Sequence, residues 1–439
     1  MSICFVSPRF YPVIGGTVTY LFNIAKFCSS YLDTTVITSN LKNFPLNPFE
    51  KNIFINKKYD LISRNIKIIR VNTLNNFILR NLFYFNQFLN KNFEIFIDKH
   101  LNPHLYSKSN KKKPNNKIAN FLTKSLVYQR FFFTPNFSQI YYMLNKIHKR
   151  QKIDIIHSSP IRFTADLSAF LFCKKNHVPY ICTPVYHINP YADSIFYPSF
   201  QHILEKSDVI IAETYIEKDF YIKYGIKGNK IHVIPPGIDP NDYKKPNVKK
   251  FKNRYNIPEN APLLFFMGRR NYEKGIFHTI IALNYLIKKF KDIKLLIAGP
   301  NTIDYLRYIK NIPSKLKSHI IDLGLIDEDT KADALASCDI FILPSLDDAF
   351  GIVYLEAWLY KKPVIGALGG NVEGLIDNEQ NGFLVPFNKI KKLASKVDIL
   401  LKNEKLREQL GQNGYNKLKN NYILEITNKK MLELYNKFI

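Results

Sequence analysis

The sequence predicts an α/β chain of two Rossmann-like, doubly wound parallel-sheet domains that face each other across a cleft. Three observations lead there. The chain has 439 residues, too many for one ordinary core and comfortable for two α/β units. Short apolar runs alternate with longer helical patterns almost throughout, which is the rhythm of βαβ units. A polar, Lys-rich stretch at 239–262, broken by Pro240, Pro246, Pro258 and Pro262, separates a first set of runs from a second.

The elements follow in order. Residues 3–7, 35–38, 66–71, 153–157, 180–183, 209–212 and 232–234 are near-continuous apolar runs, as expected for a parallel sheet covered on both faces. After the breakers, 263–267, 294–298, 320–323, 340–343 and 363–365 repeat the pattern. Residues 401–418 read as one charged helix and 423–439 as a last one. The expected division is 1–240, 241–418 and a closing helix over 419–439, free to pack back on the first domain. One region breaks the rhythm. Between 72 and 150 there are 13 Lys and Arg against two acids, Glu94 and Asp98, with the aromatic clusters Phe83-Tyr84-Phe85 and Phe131-Phe132-Phe133. Such a basic, aromatic, apparently helical insertion suits an anionic membrane interface, where ammonium groups meet phosphates and rings sit at headgroup level. Aromatics filling the insertion's own core account for it equally well.

Composition narrows the partners. The 63 Lys and Arg against 36 Asp and Glu give a formal charge of +27, which calls for nucleic acid, a membrane surface or phosphorylated small molecules. The charge is spread over both halves and no zinc-ligand spacing or RNA-binding aromatic signature accompanies it, so nucleic acid is not expected. Five scattered cysteines without a C-x-x-C pair fit a reducing compartment. The chain enters a strand pattern at once and holds no run of 18 apolar residues, so a cytoplasmic place is expected, with the insertion adding a peripheral place at the inner face of the membrane.

Three turns after predicted strands carry chemistry. Gly268-Arg269-Arg270-Asn271-Tyr272-Glu273-Lys274-Gly275 brings Arg269 and Lys274 to a helix N-terminus, where dipole, free amides and cations all favour a diphosphate. An ordinary βα turn with solvated charges is the alternative. In Pro344-Ser345-Leu346-Asp347-Asp348-Ala349-Phe350-Gly351-Ile352-Val353-Tyr354-Leu355-Glu356-Ala357, Asp348 and Glu356 lie eight residues apart, about two helical turns. That spacing lets two carboxylates line one elongated ligand, accepting charge-assisted hydrogen bonds from hydroxyls. A capping role for Asp348 and a surface role for Glu356 are the alternatives. Gly366-Ala367-Leu368-Gly369-Gly370-Asn371-Val372-Glu373 exposes amides at Gly369 and Gly370, or is simply a flexible turn. Gly15 and Gly16 after the first strand would let the backbone approach a ligand, or meet a need for positive φ. His187 follows the fifth strand and His157, a weaker candidate, ends the fourth.

In order and spacing these clusters resemble the retaining glycosyltransferases of family 4 (group 1), whose fold is GT-B. The matching patterns are G-R-x-x-x-x-K-G, P-S-x-x-E-x-F-G-x-x-x-x-E-A and G-G-x-x-E. Gly15-Gly16, Pro235-Pro236-Gly237-Ile238-Asp239 and Asn381-Gly382-Phe383-Leu384-Val385 also occupy the family's places, so the resemblance covers nearly the whole chain. It implies that Arg269 and Lys274 hold the donor diphosphate, Glu356 the ribose and Asp348 the transferred sugar, with Gly15, Gly16, Gly369, Gly370 and Glu373 contacting the donor. His187 matches a position facing the reacting sugar. Asp348 stands where the family usually has Glu, one methylene longer, which puts the sugar contact in question.

The implied reaction moves a hexose, with retention, from a UDP- or GDP-sugar to an acceptor hydroxyl in lipid-linked glycan, glycolipid or cell-surface polysaccharide synthesis. Arg269, Lys274 and a helix N-terminus would stabilise the leaving diphosphate, so no metal or other cofactor is required. Asp327-Glu328-Asp329, the only D-x-D triplet, reads as the opening of a surface helix. The rivals are a sugar-nucleotide epimerase or phosphorylase of the same fold, a nucleic-acid-binding protein, and an inactive GT-B subunit.

Overall fold

The computed structural model describes residues 1–13, 15–39, 59–61, 66–71, 137–161, 164–188 and 198–438. Of the basic, aromatic segment at 72–150, residues 72–136 lie outside these. The part described is the helix Phe137–Arg150, which buries Ile140 and Leu144 and sets Tyr141 edge-on to Phe172.

Two sheets organise the chain. The first contains β1 (Ser2–Ser7), β2 (Asp33–Ser39), β3 (Tyr59–Leu61), β4 (Ile66–Val71), β5 (Ile155–Ser158), β6 (Tyr180–Cys182), β7 (Val209–Ala212) and β8 (Ile231–Val233). Its order is β3-β4-β2-β1-β5-β6-β7-β8, with only β3 antiparallel to its neighbour among the described strands. The second contains β9 (Leu263–Met267), β10 (Lys294–Ala298), β11 (Ile320–Gly324), β12 (Ile340–Ile342), β13 (Val364–Leu368) and β14 (Gly382–Pro386), all parallel, in the order β11-β10-β9-β12-β13-β14. The central strands β1, β5, β9 and β12 are buried at every position, because helices cover both faces. Strand order reverses between β1 and β5, and again between β9 and β12. Connections leave those pairs toward opposite faces, which opens a crevice beyond their carboxyl ends.

Every expected strand is present, with ends shifted by up to three residues, and two further strands and some helix bounds depart from expectation. The exceptions have physical reasons. β3 is a three-residue edge strand, too short to show a pattern, and β14 begins with Gly382 inside a turn-like Asn-Gly. The expected single helix at 401–418 is two helices, Ile390–Lys402 and Glu404–Asn421, because Asn403 ends one and its Oδ1 accepts the Leu406 amide at 3.0 Å to cap the next. The Pro-rich stretch at 239–262 also holds a short helix, Val248–Arg254, capped by Asn247. All five cysteines are buried free thiols. Among the described residues no helix is long and apolar enough to cross a membrane.

The final helix, Leu424–Tyr435, buries Met431, Leu434 and Tyr435 in the same apolar cluster as Ile3, Phe5 and Leu21 of the first sheet's layer. The chain therefore crosses twice between the two sheets. The crossings are stitched together by Ile238 N–H to Tyr422 O at 3.0 Å and Leu424 N–H to Ile238 O at 2.9 Å. His157, at the end of β5, is spent on this packing rather than on the cleft. Its Nδ1 meets Tyr435 Oη at 2.6 Å and its Nε2 meets Thr183 Oγ1 at 2.8 Å. Complete burial pulls its pKa down to about 3. An imidazole that takes up a proton near pH 6.5 when unfolded but not when folded makes stability pH-dependent. Its contribution is complete above pH 6.5 and is lost as the pH falls from there toward 3. We expect the stability advantage of wild type over His157→Gln, measured by urea unfolding, to shrink below pH 6.5 by about 1.4 kcal/mol per pH unit. A pH-independent difference would contradict the neutral, buried imidazole.

Candidate active site

The helices that follow β1, β9 and β12 begin at the crevice, and all three lack a side-chain cap. Gly16–Cys28, Ile276–Leu286 and Ile352–Leu359 have Gly15, Gly275 and Gly351 at their N-cap positions and no acid in the first turn. Elsewhere Thr214, Asn247, Thr302, Asp327 and Asn403 cap their helices through side-chain oxygens. Asp327 thereby shows what the D-x-D triplet does: its Oδ1 accepts the Thr330 amide at 2.7 Å. Uncapped first-turn amides carry the positive end of the helix dipole, so the crevice gathers three anion-seeking termini. Gly275 and Gly351 are left-handed, at φ 76° and 95°, and a Cβ on Gly275 would run into the Pro344 carbonyl. Gly15 and Gly16 need no such conformation. A Cβ on Gly15 would meet nothing within 4 Å, and one on Gly16 would make ordinary contact with Ile352 Cδ1 at 3.9 Å.

Lys274 and Asp348 come together at the centre. Lys274 Nζ donates to Asp348 Oδ1 at 2.5 Å and to Asp347 O at 2.9 Å, joining the loop after β9 to the loop after β12. The Leu346 amide donates to Glu273 O at 2.7 Å and tightens the same junction. The pair is largely enclosed, with side chains 17% and 14% exposed. Asp348 does not cap the following helix; that position belongs to Gly351. Its Oδ2 is buried and accepts no hydrogen bond from the described residues. A buried carboxylate oxygen left in this state is costly unless a donor, such as a ligand hydroxyl, reaches it.

The other expected residues make contacts of their own. Glu356 is buried in the Ile352–Leu359 helix, and its Oε1 accepts from Lys331 Nζ at 2.7 Å and Tyr243 Oη at 2.9 Å. Burial works against the Lys331 ammonium, but Glu356 and Glu328 outweigh it and its pKa is raised. Burial and then the Glu356 charge push the Tyr243 phenol up. The family pattern gave no sign of Lys331 or Tyr243. His187 Nδ1 lies 3.1 Å from Asp347 Oδ1, a contact between the first sheet's loops and the second's. Glu373 Oε1 accepts the Gly369 amide and closes the loop after β13 on itself, leaving Gly369 and Glu373 exposed.

The two adjacent arginines part company. Arg269 is exposed toward the crevice side, close enough to Arg9 of the β1 loop that its charge, after burial, lowers the Arg9 pKa. Arg9 went unnoticed in the sequence because nothing in its pattern marks it. Arg270 is completely buried and pairs with both oxygens of Asp322 at 2.6 Å, while its Nη1 also reaches Asn301 Oδ1 at 2.6 Å. Among the described residues no group of three or more His, Cys, Asp or Glu side chains could hold a metal ion.

A model of the glycosyl transferases group 1 matches residues 247–417, and one of glycosyltransferase family 4 matches residues 96–242. The chain belongs to the family 4, group 1 glycosyltransferases. Among relatives, the capsular polysaccharide biosynthesis glycosyltransferase CapM of Staphylococcus aureus is 27% identical over 258 residues, 54% of this chain and 65% of CapM. The alpha-monoglucosyldiacylglycerol synthase of Streptococcus pneumoniae is 27% identical over 259 residues, 54% of this chain and 57% of that protein. The match thus spans less than two thirds of the length of these curated relatives. Among solved structures, sucrose-phosphate synthase from Thermosynechococcus elongatus superposes with a TM-score of 0.72 at 16% identity, covering 99% of this chain and 98% of that one. Anabaena HepE, in complex with UDP and glucose, gives 0.67 at 16% identity over 100% of both chains. These likenesses carry the GT-B fold to this chain.

The division between Arg269 and Arg270 is testable. Asp322→Ala leaves the fully buried Arg270 guanidinium without its carboxylate partner and should cost about 2–4 kcal/mol of stability. Arg269→Ala should stay within about 0.5 kcal/mol of wild type while weakening nucleotide binding. Thermal unfolding and a UDP titration read the two effects, and a reversed assignment would show as a destabilised Arg269 variant.

Proposed function

We propose that the chain is a retaining hexosyltransferase, moving a hexose from a UDP- or GDP-sugar to an acceptor hydroxyl of a lipid-linked glycan, glycolipid or cell-surface polysaccharide. One observation carries the reading. Asp348 is held by Lys274 at the mouth of an uncapped helix, with Oδ2 buried and lacking a donor. A sugar hydroxyl would satisfy that oxygen while the adjoining diphosphate faces Lys274, Arg269 and the helix amides. CapM and the diacylglycerol synthase support sugar transfer into polysaccharide or lipid by their names, and HepE supports a UDP-linked donor by its bound ligand.

In this reading residues 1–240 are the acceptor side, 241–418 the donor side, and 419–439 a helix returning to the first. The bond between the anomeric carbon and the β-phosphate oxygen breaks as the acceptor oxygen attacks from the same face. The acceptor proton passes to the departing phosphate. Arg269, Lys274 and the first-turn amides stabilise the charge that builds there. Glu356, paired with Lys331, accepts from the ribose hydroxyls. Gly15, Gly16, Gly369 and Gly370 let backbone amides approach the donor, and Glu373 fixes their loop. His187, oriented by Asp347, faces the reacting sugar. The insertion at 72–150 meets the acceptor at an anionic membrane surface.

A panel of nucleotide sugars scored by thermal shift and slow hydrolysis identifies the donor. With that donor, Lys274→Ala and Glu356→Ala should each lower kcat/KM by about 100-fold or more. Full activity in either variant would remove the site assignment. Binding to vesicles containing anionic lipid at low salt tests the membrane surface, and indifference to such vesicles would end that part of the proposal.

A further inference from the structure

One buried amide joins the two sides of the crevice. Asn371, in the loop after β13, is fully buried although it belongs to a glycine-rich turn. Its Nδ2 donates to Tyr186 O at 2.7 Å and lies 3.4 Å from Asp348 O. Its Oδ1 lies 3.5 Å from Thr214 Oγ1. Both carbonyls are acceptors only, so the atom facing them must be the amide nitrogen. One NH2 group therefore bridges the residue before His187, on the first sheet's side, to the backbone of Asp348 on the second's.

The loop it grips is itself held under constraint. Val185 sits at φ 55°, a conformation a β-branched residue rarely adopts. The Tyr186 amide donates to Glu217 Oε1 at 3.0 Å, and the Glu213 amide and Tyr221 hydroxyl reach the same buried carboxylate at 2.6 and 2.5 Å. Glu217 thus holds the Tyr186 amide and Asn371 the Tyr186 carbonyl. Close backbone approach completes the clasp. A Cβ on Gly370 would lie 2.8 Å from Ile188 O, and one on Gly374 would lie 3.0 Å from Thr214 Cβ.

We infer that Asn371 is a positioning residue, a clasp that fixes His187 and Asp348 at working distance only when the two domains are closed on each other. This rests on the proposed transfer reaction for its catalytic meaning, though not for the contact itself. Separating the domains would take the fully buried Asn371 amide away from Tyr186 O and cost it that acceptor. The closed spacing is therefore the one in which these buried groups are satisfied. A ligand spanning both sides works with the clasp, whereas nucleotide alone, held by Lys274 and Glu356, does not depend on it.

Asn371→Leu removes the amide with little change in volume, and Asn371→Asp sets an anion against two carbonyl oxygens. Both should lower kcat for sugar transfer by about tenfold or more, because a buried donor is lost, while UDP affinity stays within about threefold. In the presence of His187→Ala, Asn371→Leu should cost clearly less than alone, since the two act on one step. Hydrogen exchange supplies a readout independent of activity. Backbone amides at 185–188 should exchange about tenfold faster in Asn371→Leu, with those of β9 and β10 unchanged. Unchanged exchange at 185–188 overturns the clasp even if no sugar is ever transferred. Faster exchange with wild-type kcat overturns its catalytic role. A parallel fall in UDP affinity and melting temperature makes Asn371 a general structural residue and likewise overturns it. Absence of any donor turnover in wild type, with the exchange change intact, points instead to failure of the proposed reaction.

Discussion

The contact between Lys274 and Asp348 ties the loop after β9 to the loop after β12 where the sheet order reverses. At that point two helices run away from the crevice and leave their N-termini behind. Nothing in the helices themselves satisfies those amides, since glycine stands at each cap. A cation and an anion at close range hold the two turns in register and also present opposite charges to whatever enters. The remaining geometry follows from keeping these loops together. Gly275 must be left-handed and bare to pass Pro344, and Leu346 must pair with Glu273.

Adjacent residues in these turns serve different ends. Arg270 turns inward and fixes the end of β9 to β11 through Asp322, so Arg269 is left to face outward. Asp347 reaches across to His187, while Asp348 turns to Lys274. Glu356 is held in an apolar helix by hydrogen bonds from Lys331 and Tyr243, which come from outside its own motif. The first sheet contributes less charge and more backbone, through Gly15, Gly16 and the peptide before His187. It is bound to the second by the paired crossings near Ile238 and Leu424, and by Asn371.

Much of this was legible in the sequence, for a physical reason. Buried parallel strands must be continuous apolar runs, so β1, β7, β9 and β10 declare themselves. Chemistry at strand ends concentrates unusual residues in the turns that follow, which marked Lys274, Asp348 and Glu356. What stayed hidden depends on contacts between distant residues. The pattern G-R-x-x-x-x-K-G singled out Arg269, but nothing local showed that Arg270 is buried, because its partner Asp322 lies 52 positions on. Lys331 looked like any charge on a surface helix, and Asn371 like a turn residue. His157 looked like a site residue, and its role became plain only through Tyr435, contributed by the last helix.

The account turns on Asp348 serving the sugar while Lys274 serves the diphosphate, and calorimetric titration of Asp348→Ala separates the two most directly. Removing the carboxylate frees the Lys274 ammonium from its partner. UDP or GDP should then bind as tightly as to wild type, or up to about tenfold more tightly, while the additional affinity for the sugar-bearing nucleotide and its turnover are lost. A loss of UDP and GDP affinity in step with turnover would contradict this division of labour.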